Sequence, residues 1–230
     1  MSHEKQITLY SNDLGPNGWK VTSLLEELGL TYETIFLDFN KGEHKALEYT
    51  RINPNGRIPA IIDHKNYDFV VWESGAIMLY LTEKYDKERK YTYASDSEVE
   101  KYALLQWVFF QVSGQGPYFG QASWFVNFHH EQLPSAKERY ANEVKRVLGV
   151  LEGYLSKAQN GWLVAGKVTI ADIMFAPWDD CLPYILADFD FKKEFPATYD
   201  WHQRVYAIPG VKKALDDWHA VIEKLYGKRS

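Results

Sequence analysis

Three short stretches in the first third of the chain place donors, turn residues and charge where a small anionic ligand could be held. Pro16-Asn17-Gly18 stands where an apolar, strand-like run gives way to a helical pattern. The first N–H groups of a helix have no partner within it, and the helix dipole favours negative charge there. The Asn17 amide adds two donors of its own. Arg57-Ile58-Pro59 opens a strand after the turn Asn53-Pro54-Asn55-Gly56. A turn at that proline would leave the Ile58 backbone free to pair with an extended, peptide-like ligand. Glu73-Ser74-Gly75 begins another helix, where Ser74 is a natural N-cap and exposed backbone donors suit a carboxylate, while Glu73 suits an ammonium group. Each stretch also has a plain reading. Asn17 and Ser74 serve as helix caps, and Pro59 merely opens a strand.

Other chemistries find less support. The chain has 230 residues and a net charge of -5, with no long Lys/Arg run, so neither nucleic acid nor an anionic membrane is expected as a partner. The one cysteine, Cys181, follows Asp179 and Asp180, which raise a thiol pKa, so a reactive thiolate and a disulfide are not expected. His129 and His130 are adjacent and would diverge by about 100° on a helix, and no other set of His, Asp or Glu has ligand spacing, so no metal site is expected. Asp172 stands three residues after Thr169 in a capping-box arrangement and reads as structural. The first six residues are polar, with no signal-peptide core, and no apolar run reaches the roughly 20 residues of a membrane span. A cytoplasmic protein is expected.

The elements that must position the three stretches follow from periodicity. Gln6–Ser11 reads as a strand. Val21, Leu24, Leu25 and Leu28 then keep one helical face, which Gly29 closes. Strands are predicted over Tyr32–Asp38, Ile58–Asp63 and Phe69–Trp72, and a helix from Ser74. The order βαβ then ββα predicts a small α/β domain over residues 1–87. Residues 88–95, charged and without hydrophobic period, are the expected linker, and 96–230 an all-helical domain. One long helix there keeps Tyr140, Val144, Val147, Leu148, Leu151 and Leu155 on a face. Another, with Leu104, Leu105, Trp107, Val108, Phe109 and Phe110, is too apolar for a single buried stripe.

Taken together, "NPNGRIPAI", "WESGAI" and "LVAGKVTIADI" resemble the cytosolic glutathione transferases over nearly the whole chain. "PNGWKV", "IFLDFNKGEH", "ALLQWVFFQVSGQGPYFGQ" and "AKERYANEV" are similar to the class named for the yeast nitrogen-catabolite regulator, which also holds bacterial glutathione-dependent disulfide-bond reductases. The resemblance implies a fungal enzyme with a thioredoxin-like N-terminal domain, a cis Pro59 and an all-helical C-terminal domain. The long Asn/Gln-rich extension of the yeast regulator is absent from this sequence, so a prion-like or transcription-regulating role is not expected.

The same resemblance implies a role for each matching residue. Asn17 would lie near the sulfur of bound glutathione and hold it as thiolate. His44 would meet its glycyl end, Arg57 and Ile58 its cysteinyl-glycine backbone, and Glu73 and Ser74 its γ-glutamyl end. Arg139 matches a contact from the helical domain, and equally suits an i,i+4 pair with Glu143. In other classes a Tyr or Ser near the first corner serves the sulfur; here Tyr10 and Ser11 read as strand residues. Tyr118, Phe119, Trp124, Phe125 and Phe128 could line an apolar electrophile pocket between the domains, or pack within a helix pair. Expected chemistry is conjugation to electrophiles, with glutathione-dependent disulfide or peroxide reduction alongside. Expected assembly is a homodimer. A non-catalytic regulatory or binding protein on the same fold is the alternative.

Overall fold

The computed structural model describes residues 4–186 and 188–226. The chain forms two compact units, one of residues 1–87 with 208–230 and the other of residues 88–207.

The first unit is a four-stranded sheet with helices. β1 (Ile7–Ser11) leads to α1 (Pro16–Glu27) and back to β2 (Tyr32–Phe36), which pairs parallel to β1. A one-turn helix, α2 (Leu47–Thr50), precedes β3 (Ala60–Asp63). β3 runs antiparallel to both β1 and β4 (Phe69–Trp72), giving the order β2-β1-β3-β4. α3 (Ser74–Tyr85) follows β4 directly. Alternate strand residues share a face, so buried Ile7, Leu9 and Ser11 lie on one side of β1 and Tyr10 on the other, against Tyr49 of α2. Gly29, at φ +63, takes the left-handed conformation that ends α1, as expected of a C-terminal glycine.

The last helix, α12 (Pro209–Tyr226), belongs to this first unit rather than to the helical one in which the sequence reading placed it. It packs along α1, burying Val211, Ala214, Leu215 and Trp218. Trp218 stacks on Trp19 of α1 at 6.2 Å, and Lys213 pairs with Glu26 at 2.7 Å. With α3 and α12 against it, α1 is buried continuously from Gly18 to Leu25.

The second unit is helical throughout. α4 (Glu98–Phe110) passes through a π-helical turn at Gln111–Gln115 into α5 (Gly116–Ser123), and a second such turn spans Trp124–Phe128. α6 (Pro134–Leu155) buries Val144, Val147, Leu148, Leu151 and Leu155, the face its sequence predicts. Short helices α7 (Ile170–Ile173), α8 (Ala176–Asp179), α9 (Leu182–Ile185) and α10 (Phe191–Glu194) lead to α11 (Pro196–Tyr206). The expected linker is not loose. Tyr91 is completely buried, and its carbonyl accepts the Ile170 N–H at 2.8 Å, so 88–95 folds as part of this unit.

Asp172 is the structural residue its spacing indicates. Its fully buried carboxylate accepts from the N–H groups of Thr169 (2.8 Å) and Leu163 (3.1 Å) and from the Trp201 indole (2.9 Å), tying α7 to α11. Burial pushes it up to about 6, against these bonds.

Candidate functional site

The three candidate stretches meet at one end of the sheet. Ala60 pairs with Tyr10 and with Trp72, so the end of β1, the start of β3 and the end of β4 lie side by side. α1 and α3 both begin there. A helix N-terminus directs its first N–H groups and partial positive charge outward, and here two do so beside the turn that carries Ile58.

The first stretch differs from its plain reading in an informative way. α1 starts at Pro16 with Gly15 as its cap, so Asn17 is the second helical residue and not the cap. Its half-buried side chain rides on the first turn. The Gly18 N–H returns to the Gly15 carbonyl at 3.0 Å. Gly18 itself has a steric reason: a Cβ at that position would fall 1.8 Å from the Ser11 Oγ and 2.9 Å from its Cβ. The missing side chain lets α1 sit directly on β1. Ser11 is thereby closed off, 2% exposed and donating to the Asn12 carbonyl at 3.3 Å, while Tyr10 faces α2. Neither is available as a catalytic hydroxyl at this corner.

The second stretch is fixed by its neighbours. The Tyr49 hydroxyl and the Asn53 amide both donate to the Arg57 carbonyl, at 2.5 and 2.6 Å. Lys45 donates to the Gly56 carbonyl at 2.7 Å. The Ile58–Pro59 peptide is cis. No hydrogen bond within the chain takes up the Ile58 backbone groups among the described residues, and the Ile58 side chain lies against Gly15, where a Cβ would come within 2.9 Å. The Arg57 side chain is exposed. His44 sits in a one-turn 3-10 helix with its ring on Phe39, centroids 4.2 Å apart. Burial, with the charges of Lys45 and Arg57, lowers its pKa, and its buried Nδ1 has no partner in the chain. A neutral imidazole with an unmet nitrogen suits a ligand contact.

In the third stretch the cap is Glu73, not Ser74. Glu73 is exposed and holds φ +71, a region costly for a residue with a Cβ. Ser74 is the first helical residue, 6% exposed, and accepts from the Lys20 ammonium at 3.4 Å. Lys20 is 1% exposed, one helical turn from Asn17. Burial lowers it to about 7, with the Glu73 charge acting the other way. Sequence reasoning passed over Lys20. The signal was there: from Gly18 to Leu25 it is the one charged residue in a run otherwise fit for burial on every side.

The remaining candidates lie in the second unit. Arg139 is exposed on α6, and Glu143, its partner in one of the two readings, pairs with Arg146 at 2.7 Å. Among the five aromatics, Phe119 is completely buried and packs edge-on to Trp178, which makes it a core residue rather than a pocket wall. Phe125 lies flat on Tyr140 at 5.4 Å, and the Tyr118 ring carries the Arg146 guanidinium at 5.5 Å. Trp124 and Phe128 stack at 6.2 Å and are half exposed. The Cys181 thiol is pushed well up by burial and by Asp180 and Asp179.

One geometric expectation fails. His129 follows a π-turn in extended conformation, and the His129 and His130 rings lie 4.7 Å apart instead of diverging. Among the described residues no group of three His, Cys, Asp or Glu could hold a metal ion. No helix among them is long and apolar enough to cross a membrane.

Comparison with known proteins bears on this site. Residues 5–83 match the family described as the N-terminal domain of glutathione S-transferase, and residues 113–209 its C-terminal domain. Glutathione S-transferase 2 of Schizosaccharomyces pombe is 50% identical over 222 residues, covering 92% of this chain and 95% of that protein. The crystal structure of the glutathione transferase URE2P6 from Phanerochaete chrysosporium, in complex with oxidized glutathione, superposes with a TM-score of 0.91 at 58% identity. It covers 96% of this chain and 100% of its own. Ure2p5 from the same organism, cocrystallized with 1-(S-glutathionyl)-2,4-dinitrobenzene, gives 0.87 at 46% identity, over 99% and 100% of the two chains.

Proposed function

Because this chain belongs to the glutathione S-transferase family, we propose that its first unit binds glutathione and that Asn17 holds the thiol as thiolate for attack on electrophiles. The observation that carries the reading is the convergence of two helix N-termini and the unpaired Ile58 backbone at one end of the sheet. That arrangement suits an extended, peptide-like anion. Ser74 and the start of α3 receive the γ-glutamyl carboxylate, and Glu73 the ammonium beside it. Ile58 pairs with the cysteinyl backbone, while His44 and Arg57 take the glycyl end. Two relatives crystallized with oxidized glutathione and with a glutathionyl conjugate support this choice of ligand.

The chemistry follows from what an amide can do. A free thiol titrates near 8.5, so only a few per cent is thiolate at neutral pH. Asn17 is no base and does not take the proton, which leaves to solvent. Its N–H donates to the sulfur, and a hydrogen bond to a charged acceptor is worth about 1.5–3 kcal/mol, or roughly one to two pKa units. The start of α1 adds up to about 1 kcal/mol. The bound thiol is then mostly ionised near pH 7, and the nucleophile belongs to the ligand. Of the five candidate aromatics in the helical unit, Trp124 and Phe128 are the exposed pair.

With Cys181, the one cysteine, half-buried and its thiol pushed well up, disulfide or peroxide reduction would draw both electrons from two glutathione thiols, giving oxidised glutathione; the URE2P6 complex supports this as a second activity. A homodimer is supported by the exposed apolar stripe Val99, Tyr102 and Phe109 on α4. Retention on immobilised glutathione, followed by rates with an aryl halide, a hydroperoxide and a glutathione mixed disulfide, tests the reading. Turnover of any of the three supports it. Retention without turnover favours a binding protein on the same fold, and a chain that is not retained refutes the site.

A further inference from the structure

We propose that Trp19 is a positioning residue for Asn17: its indole N–H, bonded to the Asp13 carbonyl, replaces the side-chain cap that α1 lacks and sets the corner from which Asn17 reaches the ligand sulfur. The inference rests on the glutathione reading of the site. A helix is ordinarily fixed at its entry by a capping side chain, as Ser97 fixes α4 by accepting the Glu100 N–H at 3.2 Å. α1 is entered through Gly15, which has no side chain to cap with, and begins at Pro16, which has no N–H. Asn17 comes next. Where it points therefore depends on how the loop 12–15 is held against the helix.

That loop is bonded mainly to itself and to the sheet. The Asn12 and Asp13 side chains accept the Leu14 N–H at 3.1 and 2.9 Å, and the Gly15 N–H donates to the Asn12 carbonyl at 3.1 Å. The Asn12 amide donates to the Leu37 carbonyl, just beyond β2, at 3.0 Å. Trp19 ties the loop to α1. Helical side chains lean toward the N-terminus of their helix, and this one reaches back six residues to place its Nε1 3.0 Å from the Asp13 carbonyl. The ring is 6% exposed, with Phe36 of β2 and Trp218 of α12 as ring neighbours at 6.1 and 6.2 Å. Close packing of this kind holds the indole in the orientation that keeps its N–H on the carbonyl. The Trp218 nitrogen is itself buried and bonds nothing among the described residues, so Trp218 offers Trp19 a ring and no hydrogen bond.

The two tryptophans should therefore answer the same substitution differently. Thiolate absorbance of bound glutathione, titrated against pH, reads how well Asn17 meets the sulfur. Trp19→Phe keeps a ring and removes the N–H, and should raise the midpoint by about half a unit or more, part of the roughly one to two units that the Asn17 bond supplies. In the Asn17→Ala background it should add nothing, since both changes remove the same hydrogen bond to sulfur. Trp218→Phe keeps its ring beside Trp19 and should titrate as wild type. S-methylglutathione, followed by calorimetry, should bind Trp19→Phe as tightly as wild type, because Ser74 and Ile58 still hold it. Benzothienylalanine at position 19, the same shape with sulfur in place of N–H, makes the same test if Trp19→Phe does not fold. Equal shifts in the two Trp→Phe variants, or a Trp19→Phe shift that persists without the Asn17 side chain, would mean packing alone and overturn the inference. An unchanged midpoint in Trp19→Phe would overturn it too. Binding of S-methylglutathione leaves the glutathione reading intact in each of these cases; a wild-type chain that does not bind it overturns both.

Discussion

Replacing Gly18 by alanine isolates the contact that lets α1 rest on β1. In a helix interior, Gly→Ala ordinarily gains about 1 kcal/mol. Here the new Cβ would fall 1.8 Å from the Ser11 Oγ. Rotating that hydroxyl away relieves the nearest clash but gives up its bond to the Asn12 carbonyl, about 1 kcal/mol, and still leaves the Ser11 Cβ at 2.9 Å. Overpacking of this kind costs about 1–3 kcal/mol. The opposing terms leave a net loss of about 1–3 kcal/mol, or about 2–12 °C in Tm for a chain of this size. Ser11→Gly removes both obstructing atoms, and the next nearest is the Ser11 Cα at 3.7 Å. The double variant should therefore recover most of the helix-propensity gain relative to Ser11→Gly alone. Urea and thermal unfolding of the four proteins complete the cycle. A Gly18→Ala variant as stable as wild type, or a cycle with no coupling, would refute the steric account.

Ser74→Ala should raise the dissociation constant for glutathione by about tenfold or more, the worth of a hydrogen bond to a charged group, and lower kcat much less; titration calorimetry and saturation kinetics separate the two. A second prediction concerns stability and pH in the helical unit. Asp179 is buried, and burial raises its carboxyl to about 7 against the pull of His202 and a 2.7 Å bond from Gln115. Burial lowers His202, but the bond to Asp180 at 3.0 Å and the charges of Asp180 and Asp179 leave it raised. Both folded values lie above the unfolded ones, so the folded state holds extra protons, and stability should fall as pH rises from about 4 to 7. Asp179→Asn should flatten that slope in urea midpoints measured across the range, and an unchanged slope would contradict it. Light scattering at micromolar concentration should give twice the chain mass, and Phe109→Glu should shift it toward one.

Much of this was legible in the chain, and the failures have physical causes. Strand alternation and the β1–α1–β2 order fixed the first unit because period-2 and period-3.6 patterns differ over even short runs. The faces of α1 and α6 and the Thr169–Asp172 box were readable because they depend only on local spacing. The caps were each misplaced by one or two residues, Gly15 for Asn17 and Glu73 for Ser74, since either residue satisfies the same preferences. α12 went to the wrong unit because an amphipathic stripe such as Val211, Ala214, Leu215 and Trp218 shows that a face is buried but not against what. The π-turns after α4 and α5 leave no period of their own, so the aromatics beyond them could not be sorted into Phe119 inside and Trp124 outside. The sequence showed Lys20 but not its depth, which depends on α3 and α12 closing over α1.

The central claim is that Asn17 holds the ligand sulfur as a thiolate from the first turn of α1. Thiolate absorbance of bound glutathione, titrated against pH in wild type and Asn17→Ala, tests it most directly. Wild type should titrate roughly one to two units below free glutathione, and the variant, still folded and still binding, should return most of that shift. Identical titrations in the two proteins would contradict the account and leave Asn17 a helix-start residue with no hold on the sulfur.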